Sequence, residues 1–505
     1  MPRVLPDHPD LDHLKNQAKT LLQSVRDGSA EGTQRFRDAG VDGGDKLADA
    51  QHVIAREYGF KSWPELKMKV ESLTADPTTA FYLAIKGNNV AKVRDLLGAH
   101  PELKAIINRG TDVLSFGATP LLAAVQRSNR EMIDLLLAAG ADLSVKSDWW
   151  AGGFSVLESS SDELMPFLVE RGAIVDAVAA AKFGLVDQLA RLVAANPQAV
   201  HQRSGDGKTP LHWAKDVPTA RYLVEHGADL NARDVDHEST AAQYAIRERQ
   251  EVARYLVDAG ADADIFLIAA LGDLDRARAL VERDPTVVER IIGPRHFPMQ
   301  NPRAGGSIYV WTLGQGKTPQ MVAQEFGHRD VYDYLMDHSS NDVKVTQACL
   351  LGDEALFEQF MAQRDRNAPI SAELVHRLVG AAVGNNTKAV RLLLKAGWPV
   401  AANGLHGGTS LHWASWHGNA AMVREILSYH PPLDSRDNEH KIPPLGWALH
   451  GSLHGWHAKT GDYAAVVTAL IGAGAKTENP LPTLEGSDAA MAAYQAGKQR
   501  KAKTE

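Results

Sequence analysis

Apolar residues recur at helical spacing along nearly the whole chain, broken at short intervals by polar turns. Leu11, Leu14, Ala18, Leu21, Leu22 and Val25 fall three and four apart and predict an amphipathic helix. Leu47, Ala50, Val53, Ile54 and Tyr58 predict another, stopped near Gly59. Ser62, Pro64 and Glu65 have the form of a capping box, in which a serine and a later glutamate satisfy each other's backbone donors. The helix they open is expected to run to about Val70. Together these elements predict a small helical bundle over residues 1–75, bounded at Ala75–Asp76–Pro77.

From about Thr78 the pattern becomes periodic, and that period governs every motif within it. "GATPLLAAVQRSNREMIDLLLAAGADLS", from Gly117, returns as "GKTPLHWAKDVPTARYLVEHGADLN" from Gly207. Later copies include "GKTPQMVAQEFGHRDVYDYLMDHSS" and "GGTSLHWASWHGNAAMVREILSYHPPLD". Thr-Pro opens a helix because threonine caps it and proline is tolerated in the first turn. Ala214 and Ala414 allow close packing, leucine pairs fill a shared core, and Gly227, Gly260 and Gly474 predict left-handed helix ends. Weaker copies end in Pro101, Pro197 and Pro285 instead. Roughly twelve helix pairs are expected, stacked so that first helices and hairpin tips line a concave side.

These repeats resemble the ankyrin family. "LADAQHVIAREYGFKSWPELK" and "GWALHGSLHGWHAKTGDY" further resemble N-terminal and C-terminal segments of bacterial ankyrin-repeat proteins. The resemblance implies an all-α ankyrin-repeat solenoid over residues 78–477, after the bundle and before a tail at 478–505. It also implies recognition of a protein or peptide partner, by analogy of fold.

Two segments depart from the period. Residues 292–316 replace a short hairpin and carry Arg295, His296, Arg303, Tyr309 and Trp311; "SIYVWTL" within them is expected to form a strand. Residues 451–461 lie between two helices and carry His454, Trp456 and His457. Long loops in compact folds are often functional; these two favour a closed site over an open groove, with the first placed to fold over it.

Bulk properties narrow the function. A chain of 505 residues exceeds one compact core. A net charge of −8 argues against sequence-independent nucleic-acid binding, so no nucleic-acid partner is expected. Cys349 is the single cysteine and fits a reducing compartment. No apolar stretch is long enough for a signal peptide or a membrane span, and a cytoplasmic location without membrane contact is expected.

Several motifs imitate chemistry. "GDGKT" at Gly205–Thr209 and "GQGKT" at Gly314–Thr318 resemble phosphate-binding loops, but Gln202 and Trp311 stand where such a loop needs glycine, so both are hairpin turns. His212 and His412, in "TPLHWA" and "TSLHWA", are expected to bond to the threonine of their own repeat. His450, His454 and His457, with Asp462 after them, have metal-like spacing, but Gly451 and Gly455 interrupt the run. They are read as a polar groove wall, and neither a metal nor a cofactor is expected.

Helical spacing selects the side chains facing the groove. Among them are Trp213 and Asp216, then Tyr244, Arg247 and Glu248, then Glu325, then a small-residue stretch from Gly380 to Gly384. Last come Trp413, Trp416 and His417, followed by Trp447 and His450. Four of the chain's 10 tryptophans thus fall where leucines and alanines already supply the core, which points to a ligand surface. With Trp311, Trp456 and His457 from the insertions, these aromatic, histidine and arginine residues form the candidate binding set. The expected function is a binding scaffold with a Trp-rich groove. The alternative is a small-molecule site, or a hydrolase- or lyase-type enzyme, using Asp216, Glu248, Glu325, His417 and His450 as acids and bases.

Overall fold

A computed structural model describes residues 3–6, 9–41, 46–74, 76–365, 368–478, 480–481 and 484–502. Ala75 of the expected domain boundary therefore lies outside the described residues. The chain divides into two compact units, Met1–Asp262 with Met299–Ile308, and Ala263–Pro298 with Tyr309–Glu505.

The first unit opens with helices Leu11–Arg26, Ala30–Asp38, Leu47–Glu57 and Trp63–Thr74, the second of which the apolar pattern did not single out. Their apolar faces meet in a core that includes Leu14, Leu21, Phe36, Val53, Ile54 and Leu66. The Ser62 cap forms: its hydroxyl accepts the Glu65 N–H at 3.4 Å, and Glu65 accepts the Lys61 N–H at 2.7 Å.

Helix pairs then recur, from Pro77–Lys86 with Val90–Ala99 in the first unit to Pro444–His454 with Tyr463–Gly472 in the second. The local reasons are those of the sequence. Thr119 accepts the Leu122 N–H at 3.2 Å, and Pro120 begins the helix Pro120–Gln126. Gly227, Gly260 and Gly474 take φ of +88°, +103° and +106°, and the Ala228 N–H returns to the Leu223 carbonyl at 2.9 Å to close the helix end. Pro101, Pro197 and Pro285 each start a short 3-10 turn. At Met165–Glu170 a single helix stands where a pair is the rule. The described residues contain no strand, only isolated bridges Arg233–Thr240 and Asn403–Thr409.

Three expectations are corrected. "SIYVWTL" is helical, ending in a π-turn at Val310–Gly314, because winding puts both Tyr309 and Leu313 inward. The Tyr309 ring packs on Phe266 and Phe297, and its hydroxyl donates to Asp264. The expected tail contains a helix, Asp488–Lys501, with Ala490 and Tyr494 buried; Gly497 leaves room for Ile471, which a Cβ there would meet at 2.7 Å. Finally, Gly451 does not break its helix, which runs Pro444–His454 and ends at Gly455. Gly451 is a spacer: a Cβ on it would stand 2.8 Å from the Trp416 carbonyl oxygen.

One buried group works against stability. Nε and Nη2 of Arg377 are buried without a hydrogen-bond partner, and burial draws the guanidinium pKa down to about 10. An unpaired buried cation costs more than an apolar chain of similar length. Arg377→Met is therefore expected to leave the melting temperature unchanged or raise it by a few degrees, as followed by circular dichroism; a clear fall would reveal a needed partner.

Candidate functional site

In the first unit the repeat hairpins bring together charged and aromatic side chains. The "GDGKT" turn is a hairpin tip, with Asp206 and Gly207 at φ of +60° and +72° and the Ser204 N–H bonded to the Lys208 carbonyl at 3.0 Å. Lys208 pairs with Asp206 at 3.0 Å and lies 4.6 Å and 4.8 Å from the ring centres of Trp213 and Tyr244. Trp213 donates to Ser204, and the Tyr244 hydroxyl donates to Asp234 at 3.0 Å. Burial, reinforced by Asp234 and Asp206, raises the Tyr244 pKa far above its usual range. Lys182 donates to the carbonyls of Leu157, Glu158 and Ser160, and burial pulls its pKa down to about 8.

Residues 299–308 of the first insertion sit on the next hairpin. The Gly305 N–H donates to Asp236, His237 Nδ1 donates to the Gly306 carbonyl at 2.8 Å, and the Gln300 N–H donates to Glu238. Asp206, Asp236 and His237 converge here, and the Lys208 ammonium supplies a compensating cation. Trp213 and Tyr244 thus share one cluster, whereas Arg247 and Glu248 are exposed. Asp216 caps the helix Val217–Glu225 by accepting from the Thr219 N–H and hydroxyl. Lys208, Asp206, Asp234 and Asp236 are not among the sequence candidates, since they sit in hairpin tips and helical spacing selects only helix faces. The acidic run "RDVDHE" was the available signal.

In the second unit the last repeats line a half-open cavity of ≈ 360 Å³. Its walls include Trp413, Trp416, Trp447 and Trp456, with His406, His440 and His450. The helix Ser410–Trp416 supplies two of the indoles at a three-residue spacing, Pro444–His454 supplies Trp447 and His450, and the following turn adds Trp456. Trp413 and Trp447 meet edge-to-face at 5.1 Å, and so do Trp416 and Trp447 at 6.0 Å. Trp456 stands 5.8 Å from Trp413 and 6.4 Å from Trp416.

This packing corrects one expectation. Trp413 is 3% exposed and Trp447 8%, so both belong to the core of the last repeats, whereas Trp456 is 65% exposed. The indole of Trp447 donates to Asp437 at 3.0 Å. Burial alone raises the Asp437 pKa, but that donor and the N–H groups of His440, Ile442 and Glu439 outweigh it and hold the carboxyl below its usual value. The indole nitrogens of Trp413 and Trp416 are buried with no hydrogen-bond partner. Leaving such donors unpaired costs about 1–3 kcal/mol each.

His417 belongs to the same aromatic group, its ring centre 5.5 Å from Trp456 and 5.2 Å from His457. Its Nε2 donates to the Val383 carbonyl at 2.9 Å, so Nδ1 bears the lone pair, buried and unpartnered; burial lowers the pKa. The remaining candidates fall elsewhere. Trp311 is 68% exposed and does not line the cavity. Glu325 is paired with Lys317 of the "GQGKT" turn. Asp216 and Glu248 belong to the first unit, and none of the cavity's lining residues is a carboxylate. No residue of the first insertion lines the cavity either, so the expectation of a site closed by both insertions is not met there.

His212 and His412 tie their repeats together. Nδ1 of His212 accepts the Thr209 N–H at 3.1 Å, and its Nε2 donates to the Ser239 carbonyl at 3.1 Å. His412 does the same with Thr409 at 3.0 Å and Ile442 at 3.2 Å. Since a carbonyl can only accept, both rings are neutral with the proton on Nε2. Burial accordingly pushes their pKa values down, to about 3 and about 4.

Paired antiparallel helices with Thr-Pro starts and left-handed Gly ends define a helical-repeat protein. Three family models match it: ankyrin repeat over residues 116–148, ankyrin repeats in three copies over 177–266, and ankyrin repeats in many copies over 378–429. The chain carries ankyrin repeats over these residues, and its fold is all-α. No helix among the described residues is long and apolar enough to cross a membrane.

Proposed function

We propose that this protein is a binding scaffold that recognises a protein or peptide partner by seating one partner side chain in the Trp-walled cavity of its last repeats. Ankyrin repeats support the scaffold role. One observation carries the choice of site: four tryptophans line one cavity while two of their indole donors, on Trp413 and Trp416, are buried and unpaired. A guest with a flat or apolar body and an acceptor oxygen would bury the walls and satisfy those donors. Trp456, the exposed wall, then acts as a lid that gains contacts on binding.

The test uses Trp456→Ala, because this residue contributes little to the core. Peptides selected from a random library on the full chain are expected to share one bulky side chain. They are expected to bind the variant at least about tenfold more weakly, as for a binding hot spot, with the melting temperature within about 2 °C. Equal binding by the variant would remove the cavity from the account. If peptides fail and a small aromatic compound binds with the same Trp456 dependence, the occupant is a free ligand.

A further inference from the structure

We infer that His450, His454 and Glu485 form a binding site for a divalent transition metal of the zinc class at the rim of the aromatic cavity. His450 and His454 are one helical turn apart on Pro444–His454, and their ring centres are 4.5 Å apart. Two imidazoles at this spacing share a helix face and can hold one ion. Glu485 comes from a distant part of the chain and reaches between them. Its Oε1 lies 2.6 Å from Nδ1 of His450 and 3.6 Å from Nε2 of His454. One ligand atom from each of the three lies within 4.8 Å of the others.

The two separations from the carboxylate lie near those around a tetrahedral ion. Bonds of about 2.0–2.1 Å at tetrahedral angles place neighbouring ligand atoms about 3.3 Å apart. The shorter contact must open and the longer one close, each by under about 1 Å, which half-exposed side chains do by small rotations. Two nitrogens and one carboxylate favour zinc over calcium or magnesium, which need more oxygen ligands.

The segment that carries the carboxylate is anchored independently of the histidines. The Ser487 N–H donates to the Ser452 hydroxyl at 2.7 Å, which in turn donates to the Leu449 carbonyl, so the segment carrying Glu485 is fastened to the histidine helix. Ser487 also caps Asp488–Lys501 by accepting the Ala490 N–H. The histidines remain partly open to solvent, which gives an ion access. Three protein ligands leave a fourth position for water or an incoming donor atom. His450 also lines the cavity, its ring centre 6.0 Å from Trp416, so that position adjoins the aromatic walls. The inference does not depend on what the cavity holds.

Equilibrium dialysis of the metal-stripped full chain against zinc chloride tests it. One zinc per chain is expected, with a rise in melting temperature that a chelator reverses, and no comparable effect of magnesium. His450→Ala with His454→Ala is expected to abolish that stoichiometry, and Glu485→Gln to weaken binding at least about tenfold. His226→Ala, an exposed residue of the first unit, is expected to bind as the wild type does. Absence of stoichiometric zinc in the wild type would overturn the proposal. So would retention by the double variant; if the double variant unfolds, undiminished binding by a folded Glu485→Gln chain would do so.

Discussion

Trp413→Ala is expected to lower stability by about 3–5 kcal/mol, the largest effect of any single substitution in the last repeats. Trp413 is nearly fully buried and touches Trp447 and Trp456, so truncation removes a whole indole from a close-packed group. Relaxation is limited, because Trp447 is fixed by its bond to Asp437 and packs against His412. Repeat arrays are held by nearest-neighbour contacts, so the damage stays local. A calorimetric trace is expected to show an early transition for the last repeats, with the remainder melting near its usual temperature. Trp413→Phe is expected to cost less than half as much, since it keeps an aromatic ring and removes an unpaired buried donor. Unchanged unfolding of the alanine variant would mean that Trp413 is not a core residue.

Acidification is expected to destabilise the chain well above the range where carboxylates protonate. His212 and His412 are neutral in the folded state, with pKa values of about 3 and about 4, and return to about 6.5 when unfolded. Below pH 6.5 the unfolded chain therefore binds more protons than the folded one, and stability falls as pH falls. The stabilisation from each group is complete above about pH 6.5. It declines with acidification until the folded pKa is reached, below which that group adds no further loss. Each contributes about 2 kcal/mol of loss between pH 6.5 and pH 5. The physical cause is burial, which disfavours the charged ring, and a proton on Nδ1 would also face the threonine N–H that this nitrogen accepts. Urea unfolding at stepped pH measures the slope. His412→Leu is expected to be less stable at pH 7, because the Thr409 N–H loses its acceptor, and to show a shallower slope by about one proton. An identical slope would place the acid sensitivity elsewhere.

The repeat fold was legible because its determinants are local. Thr-Pro caps, Gly-Ala ends and leucine spacing each act within one helix pair, and they lie in the structure where the sequence places them. The same holds for the turns around Lys208 and Lys317, where a missing glycine separates a hairpin from a phosphate cradle. What was not legible depends on neighbours distant in sequence. Helical spacing put Trp413 and Trp447 on a groove face, but the two rings pack edge-to-face on each other within the core of the last repeats. Tyr309 and Leu313 had strand-like neighbours, yet the Phe266 and Phe297 rings made a helical turn the better way to bury them. Gly451 looked like a helix breaker until the close approach of Trp416 explained it. Glu485 could not be joined to His450 and His454 at all, because the helix that places it lay in a stretch expected to be a tail.

Nuclear magnetic resonance of the chain labelled with ¹⁵N at its tryptophan indoles tests the central claim, that the cavity of the last repeats is the recognition site. On adding a peptide selected on the full chain, the indole N–H signals of Trp413, Trp416 and Trp456 are expected to move. Those of Trp413 and Trp416 are expected to shift downfield as their unpaired donors gain an acceptor, while those of Trp213 and Trp311 stay in place. Movement confined to Trp213 or Trp311, with the cavity signals unchanged, would contradict it.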